Sequence, residues 1–152
     1  MTLQRQNPEP VPNESHTMHK QIYVNLAVND LAKSRAFFES LGLGFNPQFS
    51  NESGACLVLG ENIFAMLLTK DFFKGFTGKP IVDARQGTEM LLCLSCESRA
   101  EVDAMVAGAL AAGGTAPRAP VDHGFMYGQG FEDLDGHIWE LVHMKPNAAP
   151  AA

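Results

Sequence analysis

The stretch at residues 131–142, FEDLDGHIWELV, decides the fold. Asp133-Leu134-Asp135-Gly136 between apolar residues reads as a tight turn, because aspartate caps its own turn and glycine accepts a positive φ. Residues 137–144 then read as a strand. Alternation puts Ile138, Glu140 and Val142 on one face, and Trp139, Leu141 and His143 on the other. Glu140 stands out as a mid-strand carboxylate between Trp139 and Leu141. Burial there is costly unless the carboxylate meets a metal, a donor or a proton. His137, just past the turn, is expected to be solvated.

Working outward, residues 121–131 (VDHGFMYGQGF) form a glycine-punctuated segment carrying His123 and Tyr127. Short strands are predicted near 115–119 and 125–131. Before them, residues 89–96 read as a strand with Met90, Leu92, Leu94 and Cys96 on one face. Glu89, Leu91 and Cys93 lie on the other. Ser98 caps a helix carried by Val102, Met105, Val106 and Leu110, which Gly113-Gly114 closes.

The first half repeats this order. Residues 21–28 alternate, with Ile22, Val24, Leu26 and Val28 opposite Tyr23, Asn25 and Ala27. Asn29-Asp30 caps a helix through Leu31, Phe37, Phe38 and Leu41, ended by Gly42 or Gly44. Strands follow near 45–49, 55–59 and 63–68. The chain is thus βαβββ twice, an α+β protein. Each half has one helix for four strands, so one sheet face is left free. Two halves side by side would curl these faces around a shared cleft for a small ligand.

The folded part is expected at residues 19–145, in halves of about 20–70 and 88–145. Residues 1–18 and 146–152 have no apolar periodicity and read as a flexible arm and tail. Between the halves, residues 71–86 carry Phe72, Phe73 and Phe76, too apolar for a free loop. They form either a lid or a dimer contact.

The 152 residues carry a net charge of −6, with 45% hydrophobic and 18% charged residues. Without a Lys/Arg cluster, that balance speaks against nucleic acid or an anionic membrane as partner. No apolar run approaches the ~20 residues of a membrane helix. The expected location is the cytoplasm. Three cysteines make no disulfide framework. Cys93 and Cys96 are three apart in a strand and point to opposite faces, so they cannot share a metal. Cys96 is expected to pack, and Cys93 to line a cavity.

On two stretches, VNLAVNDLAKSRAFFESLGLGF (residues 24–45) and FEDLDGHIWELV, the chain resembles the glyoxalase / bleomycin-resistance / extradiol-dioxygenase superfamily. The second stretch is similar to that superfamily's D-P-D-G-n-x-x-E-L signature, with Leu134 in place of proline. The resemblance covers roughly residues 20–145 and implies the vicinal oxygen chelate fold, two βαβββ modules around a cleft. In the metal-dependent members, four positions ring a divalent ion. Carried over, these fall on Tyr23, Leu67, Leu91 and Glu140. Only Glu140 is a ligand of the usual kind, and leucine supplies no lone pair. Glu89 shares a face with Leu91 and could lean toward Glu140. The expectation is a branch that lacks most metal ligands and uses no cofactor.

The expected function is binding of a small organic molecule in a cleft centred on Glu140, by a homodimer. Glu140 is either a satisfied structural carboxylate or an acid/base and ligand-binding group. In an enzyme, Glu140 would act with Tyr23 or Tyr127. Tyr23, Asn25, Leu67, Glu89, Leu91, Cys93 and His123 are the candidate ligand-binding residues. Catalysis stays open between a metal-independent enzyme, a lactoylglutathione-lyase-like or dioxygenase-like protein with unusual ligands, and a drug-sequestering protein.

Overall fold

The computed structural model describes residues 18–146; the expected arm and tail lie outside the described residues, apart from their innermost positions. Two sheets of four strands form the body. In the first half, β1 (Ile22–Val28) leads to α1 (Leu31–Ser40), then β2 (Gly44–Asn46), β3 (Gly54–Gly60) and β4 (Ile63–Thr69). The second half has β5 (Leu91–Ser95), α3 (Arg99–Ala111), β6 (Val121–Asp122), β7 (Met126–Glu132) and β8 (Ile138–Met144). The strand orders are β1-β4-β3-β2 and β5-β8-β7-β6, with β1/β4 and β5/β8 parallel. This is the expected βαβββ repeat.

Local chemistry sets both long helices. Asp30 is extended (φ −138°), and its carboxylate accepts from the Lys33 N–H, while Gly42 at φ 87° ends α1. Ser98 caps α3 through the Glu101 N–H at 3.1 Å, and Gly113 at φ 104° closes it. α1 buries Ser34, Phe37 and Phe38, the i, i+3, i+4 stripe of a core-facing helix. Phe38 meets Trp139 edge-on at 5.3 Å, and Phe37 lies 6.0 Å from Phe131. One core therefore runs through both halves, with Leu26, Leu57 and Leu67 from the first and Val102, Trp139 and Leu141 from the second. Each such fully buried side chain contributes about 1.5–3 kcal/mol.

Two strands differ from expectation. Residues 115–119 supply only a single bridge, Thr115 to Glu132, and pairing resumes at Val121. Pro117 and Pro120 interrupt the ladder there. The strand expected at 45–49 ends at Asn46, whose side chain caps a 3-10 turn at Pro47–Phe49.

The signature turn rivets the halves together. The buried Asp135 carboxylate accepts from the Asn29 N–H (2.8 Å) and the Ser34 hydroxyl (3.2 Å) of the first half. Asp133, also buried, accepts from Trp139 Nε1, Asp135 N and His137 N. His137 is not solvated as expected but only 6% exposed. Its Nδ1 lies 2.7 Å from Glu89 Oε1, and its Nε2 2.8 Å from the Ala27 carbonyl oxygen of β1. Gly136 sits at φ 86°, where an added Cβ would lie 2.7 Å from Arg85 N and 2.8 Å from Arg85 Cα. The connecting segment is thereby pressed onto the turn. Gly136→Ala adds left-handed strain to a backbone clash and is expected to cost about 2–3 kcal/mol in urea unfolding. A loss below about 1 kcal/mol would show that Arg85 is free to move away.

Candidate ligand site between the halves

Strand register decides which side chains can meet on the free faces. On the first sheet, Tyr23 pairs with Phe64, Asn25 with Met66 and Ala27 with Leu68, and these lie on the face opposite Leu26 and Leu67. Tyr23 and Phe64 stack at 4.8 Å. Leu67 pairs with Leu26 and is fully buried in the core. The expectation that Leu67 faces the ligand is therefore corrected to Met66, because a one-residue slip reverses the face in a strand.

On the second sheet the free face carries Leu91, Cys93 and Ser95, opposite Ile138, Glu140 and Val142. Glu140 holds the face expected for it, between Cys93 on β5 and Gly130 on β7. Its carboxylate is paired with Arg118, a residue the sequence reading missed because it lies between prolines in a segment without periodicity. Two glycines clear the space. A Cβ at Gly130 would come within 3.2 Å of the Glu140 carboxylate, and one at Gly128 within 3.7 Å of the Arg118 guanidinium. Cys93 is exposed and lies beside Glu140, and burial first, then that carboxylate, raise its thiol pKa. Cys96 is held up at about 11 by burial, then by Glu101 and Cys93, so both thiols stay protonated.

Three further expectations are corrected. Glu89 does not lean toward Glu140; it binds His137. Glu140 stands opposite Cys93, four residues and so about 13 Å along the strand from Glu89. Tyr127 cannot act with Glu140, because Tyr127 pairs with His143 on the helix side of the sheet. There it lies under Arg99 (4.4 Å to the ring centroid) and donates its hydroxyl to Asp103, which raises its pKa. His123 is exposed in the β6–β7 turn, stacked near Phe125, and lines none of the cavities described here.

The metal positions do not suit a metal. They hold Tyr23, whose hydroxyl donates to Gln21, the Met66 thioether, the Leu91 alkyl group, and a Glu140 already matched by a guanidinium. Among the described residues no three His, Cys, Asp or Glu side chains gather to hold an ion. A divalent cation needs several lone-pair donors.

A partly covered space lies instead at one end of the free faces. A cavity of about 310 Å³ separates Asn25 and Ala27 of β1 from Glu89, Met90 and His137 of the second half. Its roof is the connecting segment, which runs from the short helix α2 (Lys70–Phe73) through Thr77 to Val82. Phe73 and Ile81 turn inward, while Phe72 and Phe76 meet edge-on outside and stay exposed. A wedge of about 190 Å³ between β1 and β5, lined by Val24, Leu92 and Cys93, continues the seam. A wider depression of about 410 Å³ is walled only by residues 82–89 and lies open.

Fold and register thus define a protein of paired βαβββ modules with a partly roofed cleft between them. Residues 20–60 match the family described as bleomycin resistance protein-like N-terminal. No curated protein matches the sequence. Among solved structures, a hypothetical protein from S. aureus is similar at 27% identity and TM-score 0.70, over 84% of this chain and 95% of its own. A glyoxalase/bleomycin resistance protein from Albidiferax ferrireducens shares 25% identity at TM-score 0.64, over 85% of this chain and 100% of that one. A fosfomycin resistance protein from Listeria monocytogenes shares the fold at 18% identity and TM-score 0.61, over 88% and 97%. In its matched segment and its fold the chain is similar to proteins of the glyoxalase / bleomycin-resistance / dioxygenase superfamily.

Proposed function

We propose that this protein binds a small organic molecule between its halves without a divalent metal. The observation that carries this reading is the 310 Å³ cavity, large enough for a small ligand and lined mainly by apolar side chains with a few convergent polar ones. The donor set at Tyr23, Met66, Leu91 and Glu140 supports metal independence. The Arg118 guanidinium supplies, beside Glu140, the positive charge an ion would otherwise bring. The cleft is then centred on Glu89 and His137, with the Glu140–Arg118 pair as a polar station further along the free face.

We also propose that the working form is a homodimer. Ile22, Ile63 and Leu91 are 43–60% exposed at the wedge along the seam, an apolar strip that a second copy would cover. Among the described residues no helix is long and apolar enough to cross a membrane. Native mass spectrometry tests metal and assembly together. The expected result is a dimer carrying no stoichiometric divalent metal, with a melting temperature unchanged by EDTA. One equivalent of metal lost together with Glu140→Ala would sink the metal-free reading. A monomer at micromolar concentration would sink the dimer. A thermal-shift screen of small organic molecules, repeated on a cavity-blocking variant, tests the ligand reading directly.

A further inference from the structure

We propose that the cavity under residues 73–82 takes an organic amine with an apolar body, its protonated nitrogen seated on Glu89. This deepens the small-molecule reading above and rests on it. The argument is an inventory of hydrogen-bonding capacity. Glu89 gives Oε1 to His137, while among the described residues Oε2 accepts nothing. Asn25 uses its amide N–H on the Tyr23 carbonyl (3.1 Å), and its side-chain oxygen is left as an acceptor. Both nitrogens of His137 face acceptors, Glu89 and the Ala27 carbonyl, so its protons are committed and none is offered to a ligand. The inner end of the cavity therefore presents acceptors, and an incoming molecule must bring the donors.

The Glu89 side chain is 19% exposed, so a cation reaching it trades little water for a charge-assisted bond. Phe73, Ile81, Val82 and Met90 supply apolar walls for the rest of the molecule. Two cationic groups line the wall. Lys79 is exposed, where water screens its repulsion. The His137 imidazolium is matched by Asp133 as well as by Glu89, which leaves Glu89 Oε2 with charge to offer. Lys79 suits a hydroxyl or carbonyl on the outer end of the ligand. The formal charge of −6 attracts a cation over a longer range.

Three probes with one body test the idea: 3-phenylpropylamine, 3-phenylpropanol and 3-phenylpropionate, titrated by calorimetry into the full chain. The proteins are wild type, Glu89→Gln, which keeps an acceptor for His137, and Val82→Trp. Val82 is 63% exposed, so tryptophan there blocks the cavity mouth without disturbing the core. The expected result is that the amine binds at least about tenfold tighter than the acid. Glu89→Gln should remove most of that preference while leaving the alcohol within about threefold, and Val82→Trp should abolish all binding. If the acid binds as well as the amine and Val82→Trp still blocks both, the amine assignment falls and the small-molecule site survives. Binding that ignores Val82→Trp overturns the location. No binding by any probe at millimolar concentration overturns both readings.

Discussion

Asp135→Ala is expected to lower the unfolding free energy by about 3–4 kcal/mol, the loss of two hydrogen bonds to one buried carboxylate. Asp135 is 7% exposed, and its oxygens hold Asn29 N and Ser34 Oγ more than one hundred residues earlier in the chain. These bonds fix the N-terminal end of α1, where a negative charge also meets the helix dipole favourably. Alanine would leave the Asn29 amide and the Ser34 hydroxyl, itself on a residue 3% exposed, without partners. Ser34→Ala alone should cost about 1 kcal/mol, because the Asn29 bond remains. Urea unfolding of the two single variants and the double variant checks this. In the double variant the loss should be less than the sum, since both changes break the same contact. A loss below about 1 kcal/mol for Asp135→Ala would mean that the turn is not what joins the halves.

The rivet and the site were legible in the sequence to different depths. Alternation sets Leu91 with Cys93 on one face of their strand and Glu140 opposite His143 on another, because a strand has a fixed period of two. The ligand positions implied by the resemblance bring those faces together, as the register does. The same period groups Tyr127 with Gln129 and Phe131, and pairing with β8 puts that face on the side opposite Glu140. Leu67 failed by one residue, the smallest error possible and enough to exchange a ligand wall for the core. His137 was misread for a different reason. An Asp-Gly turn ordinarily points to solvent, and nothing local reveals that Glu89 and the Ala27 carbonyl close over it from 48 and 110 residues away.

Arg118 and the cavity share that character. Both depend on segments without periodicity folding back over a regular sheet. The aromatic content of residues 71–86 did show that this connection packs on something, and Phe73 at the cavity wall is part of that answer. Hydrophobic pattern therefore foretells the sheets and their faces, whereas the partners of charged groups come from long-range closure that pattern does not encode. The practical consequence is that the signature stretch is chiefly structural. Asp133, Asp135, Gly136 and His137 all serve the joint between halves, and Glu140, the one acidic group on the free face of β8, is balanced by Arg118.

Stability should also fall as pH rises, and His137 should be the cause. Both of its ring nitrogens face acceptors, so the folded protein holds the imidazolium. Burial works against that charge, but Asp133, the Ala27 carbonyl and Glu89 outweigh it, and the net effect raises the pKa above its ordinary 6.5. The sign follows from proton linkage. Below pH 6.5 the folded and unfolded chains both carry the proton, and the full stabilisation is present. Between 6.5 and the raised value only the folded chain keeps it, so stability declines with a slope of up to about 1.4 kcal/mol per pH unit. Above the raised value the contribution is gone. Asp133 acts in the same direction at lower pH, since burial, partly offset by His137, raises it from 3.8. At pH 6, His137→Leu should cost about 3–5 kcal/mol, because it leaves Asp133 and Glu89 without their counter-ion. It should also flatten the decline above pH 6.5. Urea unfolding of both proteins from pH 5.5 to 9 provides the measurement. Parallel pH profiles for wild type and His137→Leu would show that His137 is neutral in the fold and that the joint holds without its charge.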